Sequence, residues 1–271
     1  MTEAQYNAAI AIYHPTGGRK VGKIYDIRDT DNTSPNDLTV SGGGGTRFLA
    51  DGTLETVPFE MPKIDYSTGQ AAFLIEPART NYISDQNINF FEKSGATVSV
   101  HPTIKSPIDG DAYHIQAASV GASAYVYLSG AVSSGQVQSI FIRSLSGVQT
   151  IAILNHNSQG VVQIDENWKR FEALYVASSP GATNFYAVDF RGGSTTDVLV
   201  ALPQLEDGIN ATTPIITNGS AVTRTALSAS ITVPAGVTSI EEKVDGVVNT
   251  ITTIPATYTM PNGALEYVKF L

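Results

Sequence analysis

The sequence contains no cysteine and little charge. Charged residues make up 15% of its 271 positions, whereas hydrophobic residues make up 42%. Without cysteine there are no disulfides and no thiolate metal sites, so the chain can fold in a reducing or an oxidising compartment. Its apolar content is high enough for a sizeable core and argues against disorder. The 24 glycines, together with Ser, Thr, Asn and Gln, favour turns and neutral hydrogen-bonding surfaces.

Basic residues are scarcer than acidic ones, 16 Lys and Arg against 25 Asp and Glu, which gives a formal net charge of -9. Nucleic acids are bound mainly through clustered Lys and Arg, so a nucleic acid is not an expected partner. No run approaches the roughly 20 apolar residues that span a bilayer. The first residues also lack the basic and apolar regions of a signal peptide. We therefore expect a protein made in a cytoplasm, without membrane insertion.

From about residue 96 to residue 205, short runs of Val, Ile, Tyr, Phe and Thr alternate with Gly, Ser, Pro and Asp. This pattern is typical of an antiparallel β-sandwich, and no window shows a 3.6-residue period. The sequence therefore predicts an all-β protein. The candidate strands are 96–100, 111–118, 124–129, 136–144, 149–155, 160–164, 168–176, 183–190 and 197–205.

The flanking regions have a different pattern. Frequent Gly, Pro and Asn residues in the first 80 positions predict an extended, irregular N-terminal arm that lies on another surface. After a polar link at 217–225, the hairpin signals Asp245-Gly246 and Asn262-Gly263 predict a small C-terminal β unit. Its last strand, 265–271, is expected to pair with its own meander or with a neighbouring subunit. The expected domains are 1–81, 82–225 and 226–271.

Two stretches resemble the segments that bracket jelly-roll modules in bacteriophage tail-fibre and other virion proteins. The first comprises Thr46-Arg47-Phe48, Asp51 to Pro58, Pro62 to Tyr66 and Leu74 to Asn81. The second comprises Pro203 to Gly208, Ala211 to Ile215 and Gly219 to Arg224. Between them, Trp168-Lys169-Arg170-Phe171 resembles the W-x-R-F element of galactose-binding-like and carbohydrate-binding-module sandwiches. The resemblance implies a jelly-roll fold, a location on the exterior of a virion and a glycan as a possible ligand.

Signatures of catalysis and of metal binding are missing. The Gly42 to Gly45 run lacks the Lys-Ser/Thr of a phosphate loop, so it predicts a flexible turn. The histidines are separated in sequence and lack a second ligand at metal-binding spacing. These are His14, His101, His114 and His156. The carboxylates Glu172, Asp189, Asp197 and Glu206 lie in no glycosidase signature. We therefore predict no enzyme activity, no catalytic residue, no cofactor and no metal.

Charged residues also bracket the central domain. Glu76 and Arg79 could form a pair, and Arg224 could bind a carboxylate; such charges usually fix a linker. Trp168, the only tryptophan, is expected in the core of the sandwich.

Tyrosines supply the candidate binding site. In Ala124-Tyr125-Val126-Tyr127-Leu128, side chains alternate between the two faces of a strand. If Val126 and Leu128 face the core, Tyr125 and Tyr127 share the opposite face and form a sugar-stacking platform with hydroxyl groups. Tyr186, near Asp189 and Arg191, is a further candidate. The alternative is that the tyrosines pack under a neighbouring strand, the arm or another subunit.

Three functional hypotheses follow. The first is a structural component of a bacteriophage virion, a fibre or decoration protein on tail or capsid, assembled with other virion proteins as a homo-oligomer, for which we expect a trimer. The second is a receptor-binding adhesin that recognises bacterial surface glycan through the tyrosines. The third, a glycan-degrading enzyme, ranks last.

Overall fold

A computed structural model describes residues 11–13, 18–20, 23–25, 38–155, 160–177 and 182–271, with side chains from residue 38 onward. The described chain is built from β-strands, and its one helical segment is a 3-10 turn at Ile88–Phe90. None of the described helical structure has the length and apolar character needed to cross a membrane. The all-β prediction is confirmed.

The strands are numbered in chain order. They are β1 (Ala11–Tyr13), β2 (Gly18–Lys20), β3 (Lys23–Tyr25), β4 (Leu38–Phe48), β5 (Leu54–Phe59), β6 (Ile64–Asp65), β7 (Ala72–Ile75), β8 (Arg79–Asn81), β9 (Glu92–Ser94), β10 (Ala96–Lys105), β11 (Asp111–Ala117), β12 (Tyr125–Leu128), β13 (Gln136–Arg143), β14 (Gln149–Ala152), β15 (Val161–Ile164), β16 (Lys169–Leu174), β17 (Phe185–Asp189), β18 (Asp197–Asp207), β19 (Val222–Arg224), β20 (Leu227–Thr232), β21 (Ile240–Val244), β22 (Val247–Ile251), β23 (Thr257–Thr259) and β24 (Gly263–Phe270).

The described chain divides into two compact units. Unit 2 is continuous, residues 79–223, whereas unit 1 combines residues up to 78 with residues 224–271. Strands of the predicted arm pair with strands of the predicted C-terminal unit inside unit 1: β4 pairs with β20, and β24 pairs with β7. These hydrogen-bonded ladders place the two ends of the chain in one unit. The expected domain limits 1–81, 82–225 and 226–271 stay a prediction.

Unit 2 is an antiparallel sandwich of two five-stranded sheets. We name the sheet with the order β15-β14-β17-β12-β9 the front sheet and the sheet with the order β10-β11-β18-β13-β16 the back sheet. From β11 to β14, consecutive strands alternate between the back and front sheets, and β15 to β18 return in the same manner. This order, with the four-strand sets β11-β18-β13-β16 and β12-β17-β14-β15, is that of a jelly roll. The predicted jelly-roll sandwich is therefore confirmed.

The core of unit 2 lies between the two inner faces. Alternate residues of the central strands fill it, as pleating requires, and include Ile140, Ile142, Val198 and Val200, all fully buried.

Unit 1 has a core of its own. Its strands form an eight-stranded sheet, whose main order is β22-β21-β24-β1-β2-β3, and a four-stranded sheet with the order β23-β20-β4-β5. Buried apolar residues from both parts of the chain meet in it, among them Phe73, Ile231, Val268 and Phe270.

The Gly42 to Gly45 run corrects a prediction, because it lies inside strand β4 and does not form a turn. All four glycines have positive φ angles, between 71° and 93°. A Cβ atom at Gly42 would lie 2.1 Å from the carbonyl oxygen of Ala226, and one at Gly43 would lie 2.6 Å from Leu227 Cδ1. Glycine is required here because the backbone is left-handed and the neighbouring strand is too close for a side chain.

Two of the predicted linker charges, Glu76 and Arg224, form a buried cluster in unit 1 together with Lys63. The third, Arg79, was expected to pair with Glu76, but its Nε lies 3.9 Å from Glu206 Oε2. Lys63 Nζ lies 2.5 Å from Glu76 Oε2, and Arg224 Nη1 lies 3.1 Å from the same oxygen. All three side chains of the cluster are at most 6% exposed. Burial, which disfavours the charged form, lowers the pKa of Lys63 despite the attraction of Glu76. The expectation that Arg224 binds a carboxylate is confirmed.

Candidate functional site

Strand β12 presents two tyrosines on the outer face of the front sheet. Val126 is fully buried in the core, and Leu128 packs against that core. Because successive side chains of a strand point to opposite faces, Tyr125 and Tyr127 lie on the other face. Both are half-buried. The alternation predicted from the sequence is confirmed.

A β-bulge in strand β17 adds Tyr186 to this face. Val126 pairs with Val188, but Tyr127 pairs with Tyr186, so Ala187 is an extra residue between the two pairs. Ala187 and Val188 are both fully buried in the core. Residues directly opposite each other in an antiparallel pair share a face, so Tyr186 lies beside Tyr127. Without the bulge, Tyr186 and Asp189 would point to opposite faces.

The three tyrosines form one cluster. The ring centroids lie 5.4 Å apart for Tyr125 and Tyr127, 6.0 Å for Tyr125 and Tyr186, and 5.7 Å for Tyr127 and Tyr186. The last two rings are stacked, with an interplanar angle of 21°. Tyr186 is only 3% exposed, so its buried ring packs against the more accessible ring of Tyr127. The structure thus brings all three predicted site residues together.

An ion pair borders the cluster. Asp189 pairs with Tyr125 in the strand register and is fully buried. Arg191 donates to both of its carboxylate oxygens, from Nε at 2.9 Å and from Nη2 at 2.5 Å. The Arg191 guanidinium carbon also lies 4.5 Å from the centroid of the Tyr125 ring, a cation–π contact. The pair therefore fixes the Tyr125 ring.

The tyrosine hydroxyl groups have polar partners. A hydrogen bond to Glu92 on the edge strand β9 raises the pKa of Tyr127. Asn184 Nδ2 donates to the hydroxyl of Tyr186 at 3.2 Å, and burial raises the pKa of Tyr186. Both hydroxyls are therefore neutral near pH 7. We name the five residues Tyr125, Tyr127, Tyr186, Glu92 and Arg191 the tyrosine face.

Polar residues of two further strands share this outer face. Ile151 is in the core, so its neighbour Thr150 points outward. Ala152 points the same way and pairs with Asp189, but it is fully buried. Gln163 on strand β15 pairs with Thr150. The front sheet thus continues from the aromatic rings to a neutral polar surface.

Sequence reasoning did not identify the roles of Glu92 and Asn184. The Asp189-x-Arg191 spacing was visible, but it does not reveal an ion pair. Glu92 lies more than 30 positions before Tyr127, and only the pairing of β9 with β12 brings them together.

Two of the candidate catalytic carboxylates, Glu206 and Glu172, are engaged elsewhere in unit 2. Glu206 accepts from the backbone N–H of Thr212 at 2.6 Å and from its hydroxyl at 2.7 Å. Glu172 accepts from the N–H of Ala211 at 2.9 Å. These bonds fasten the segment after β18 onto the outer face of the back sheet. The arrangement gives the second resembling stretch a structural role.

The W-x-R-F element also helps to hold the segment after β18 on the back sheet. Arg170 donates to the carbonyl of Thr212 at 2.6 Å and to the hydroxyl of Ser139 at 2.8 Å. Trp168 is not a core residue, contrary to expectation: it is half-buried, and its Nε1 donates to the carbonyl of Lys105 at 2.9 Å. Trp168 directly precedes strand β16, whose inward-facing residues include Phe171 and Ala173.

Two of the four histidines meet in the structure. The β10–β11 hairpin places the rings of His101 and His114 with centroids 5.9 Å apart, and His114 Nε2 lies 3.4 Å from Asp197 Oδ2. His14 and His156 lie outside the described residues. Within the described ranges, no group of three or more His, Asp and Glu residues could hold a metal ion.

The strand order and the outer aromatic cluster define a jelly-roll module with a polar, tyrosine-bearing sheet face. No family model and no curated protein matches the chain. Among solved structures, the chain is similar to the family 22 and catalytic modules of a Clostridium thermocellum endo-1,4-β-D-xylanase complexed with xylohexaose, at 11% identity and a TM-score of 0.32. That match covers 48% of this chain and 28% of the xylanase chain.

Two structures that contain only binding modules are also similar to this chain. One is the family 11 carbohydrate-binding module of Clostridium thermocellum in complex with a β-1,3-1,4-mixed-linked tetrasaccharide, at 14% identity and a TM-score of 0.31, covering 51% of this chain and 99% of that one. The other is a tandem of two family 22 modules from Paenibacillus barcinonensis, at 10% identity and a TM-score of 0.33, covering 70% and 82%. None of these three is described as a bacteriophage protein.

Proposed function

We propose that unit 2 is a glycan-binding module and that the protein acts as an adhesin for bacterial surface glycan. The observation that carries the proposal is the tyrosine cluster, whose ring centroids lie within 6.0 Å of one another on the outer face of a sheet. Aromatic faces stack on the apolar faces of sugar rings, and tyrosine hydroxyls add hydrogen bonds. The bulge and the Arg191–Asp189 pair hold this cluster rigid before a ligand arrives, which lowers the entropic cost of binding.

The charges on the tyrosine face favour an uncharged glycan. Arg191 and Asp189 neutralise each other, and Glu92 adds a negative charge beside Tyr127. The net charge of the whole chain, -9, also repels polyanions. We therefore propose neutral polysaccharide as the ligand class.

A glycan array with purified protein tests the proposal. Tyr125→Ala and Tyr127→Ala should each abolish or strongly reduce binding, because each removes a stacking surface. Tyr82→Ala is the matched control: this tyrosine is 44% exposed, lies in unit 2 outside the cluster, and bonds to Asp207 at 2.6 Å. No binding by wild-type protein, or binding that is indifferent to both cluster variants, overturns the proposed site.

We further propose that binding is not followed by cleavage. Two carboxylates lie at the tyrosine face: Asp189, whose oxygens both accept from Arg191, and Glu92, which accepts from Tyr127. Glycoside hydrolysis needs two facing carboxylates with separate roles. Prolonged incubation with a bound polysaccharide should release no oligosaccharide. Release that depends on Asp189 or Glu92 would contradict this.

We also propose that the protein lies on the exterior of a bacteriophage particle and assembles as a homotrimer with other virion proteins. Both proposals rest on the resemblance of residues 46–225 to bacteriophage virion proteins. Micrographs of intact virions with this protein labelled test the first. Light scattering after size-exclusion chromatography tests the second: a mass of one or two chains would contradict a trimer.

A further inference from the structure

A cleft of about 530 Å³ opens in unit 2, away from the three tyrosine rings. Its walls come from the 3-10 turn, the β10–β11 hairpin and the segment after β18. They include an exposed phenylalanine, two carboxylates and three amide side chains: Phe90, Asp85, Asp111, Gln86, Asn87 and Asn218. No Lys, Arg or His is among the described residues that line it.

Phe90 is held outward by its neighbours. Ile88 is fully buried and Phe91 is 3% exposed, so both anchor the 3-10 turn in the core, whereas Phe90 is 71% exposed. The turn is closed by a backbone bond from Phe90 N–H to the carbonyl of Asn87 at 3.0 Å, and the Asn87 side chain caps it. The cleft is lined by polar residues and by the aliphatic residues Ile108, Leu202 and Ile216. A rigidly displayed, largely exposed phenyl ring at such a mixed cleft is the arrangement of a stacking platform.

Other lining residues supply hydrogen-bonding groups. Asp111 and Asn218 are exposed, and Asp85 is half-buried with one oxygen accepting from the N–H of Asn87 at 2.8 Å. Burial, with the charges of Asp111 and Asp85 nearby, raises the pKa of Tyr113, which also lines the cleft, to about 12. Its hydroxyl is therefore neutral near pH 7. Carboxylates accept from several hydroxyl groups of one ligand and repel anions.

We propose that this cleft is a second carbohydrate-binding site, which takes an uncharged pyranose with its ring stacked on Phe90 and its hydroxyls donating to Asp85 and Asp111. The inference rests on the proposed function in its ligand class, but it uses different residues.

A short piece of chain links the second site to the tyrosine face. Phe90 ends the 3-10 turn and precedes Glu92 by two residues, so their Cα atoms lie at most about 7 Å apart. Glu92 is the hydrogen-bond partner of Tyr127 and stands opposite it in the register. We propose that one polysaccharide chain contacts both sites. Once it is bound at the first site, its binding at the second is intramolecular, which raises the overall avidity.

Heteronuclear NMR titration of the full chain tests the second site. The probes are neutral methyl pyranosides with gluco, galacto, manno and xylo configurations and N-acetylglucosamine, each to 100 mM, with glucuronate as the anionic counterpart. We expect at least one neutral sugar to shift the side-chain amide signals of Asn87 and Asn218 saturably, and glucuronate to shift them less. Phe90→Ala should weaken this binding about three- to tenfold, and Asp111→Asn should weaken it while leaving the fold unchanged.

Two controls separate this proposal from the first. Phe59→Ala removes another exposed phenyl ring, 59% exposed and in unit 1, and should have no effect. Tyr127→Ala should leave monosaccharide binding in the cleft intact. Shifts confined to the tyrosine face, none at all with any neutral sugar, or binding unchanged in Phe90→Ala, overturn the cleft site. Loss of glycan-array binding in Tyr127→Ala with intact cleft shifts supports both proposals.

Discussion

Replacing Glu76 by Gln should strongly destabilise unit 1. The substitution keeps the shape of the side chain but removes the negative charge that faces both Lys63 Nζ, at 2.5 Å, and Arg224 Nη1, at 3.1 Å. Removing one partner from a buried ion pair typically costs about 3–5 kcal/mol, because the remaining charge cannot return to water. Here two cations lose the same partner, so we expect the upper part of that range.

Urea unfolding measures this loss. At a slope of about 2 kcal/mol per molar urea, a loss of about 4 kcal/mol moves the midpoint down by roughly 2 M. Trp168, the only tryptophan, lies in unit 2, so its fluorescence reports that unit. Amide hydrogen exchange in β20 and β24 reports unit 1.

The control is Lys63→Met, which leaves Glu76 paired with Arg224 and fills the same buried volume with an apolar chain. It should cost less than Glu76→Gln, because a buried pair remains and one desolvated charge is gone. A loss below about 1 kcal/mol for Glu76→Gln, or a larger loss for Lys63→Met, would show that the cluster is not held by its charges.

Three further predictions concern stability. Folding should weaken as the pH rises above 10, because burial raises the pKa of Tyr113 to about 12 and also raises the pKa of Tyr258. The unfolded chain therefore loses these two protons at a lower pH than the folded chain does. Absorbance at 295 nm should show both tyrosines ionising only when the protein unfolds. Gly43→Ala should cost about 2–4 kcal/mol through its positive φ and the clash with Leu227, whereas Gly52→Ala, with open space around it, should cost about 1 kcal/mol in thermal melts. Asn81→Ala should cost about 2–4 kcal/mol, since the buried Oδ1 accepts from two backbone N–H groups; an unchanged melting temperature would refute that role.

Strand patterning was sufficient to predict the sandwich and the side-chain alternation of β12. The period of two in Tyr125-Val126-Tyr127 follows from local chain geometry, and a buried Val126 settles which face is inward. The same local reasoning could not place Tyr186, because the bulge at Ala187 shifts the period by one and is determined by pairing with another strand.

Long-range pairing accounts for the other differences. The glycine run was expected to be a turn, since consecutive glycines usually interrupt strands; its place in β4 depends on Leu227, which lies about 180 positions later. Lys63 and Glu92 carried no signal of their roles, because an isolated charged residue is usually exposed. Their partners become apparent only when β6, β7, β9 and β12 are in place.

Titration calorimetry with a neutral polysaccharide tests the central claim most directly. The series compares wild-type protein with the Tyr127→Ala and Tyr82→Ala variants. The tyrosine face predicts saturable binding that Tyr127→Ala reduces at least about tenfold and Tyr82→Ala leaves unchanged. Equal affinity in all three proteins, or no heat of binding with any glycan that scores on the array, would contradict it.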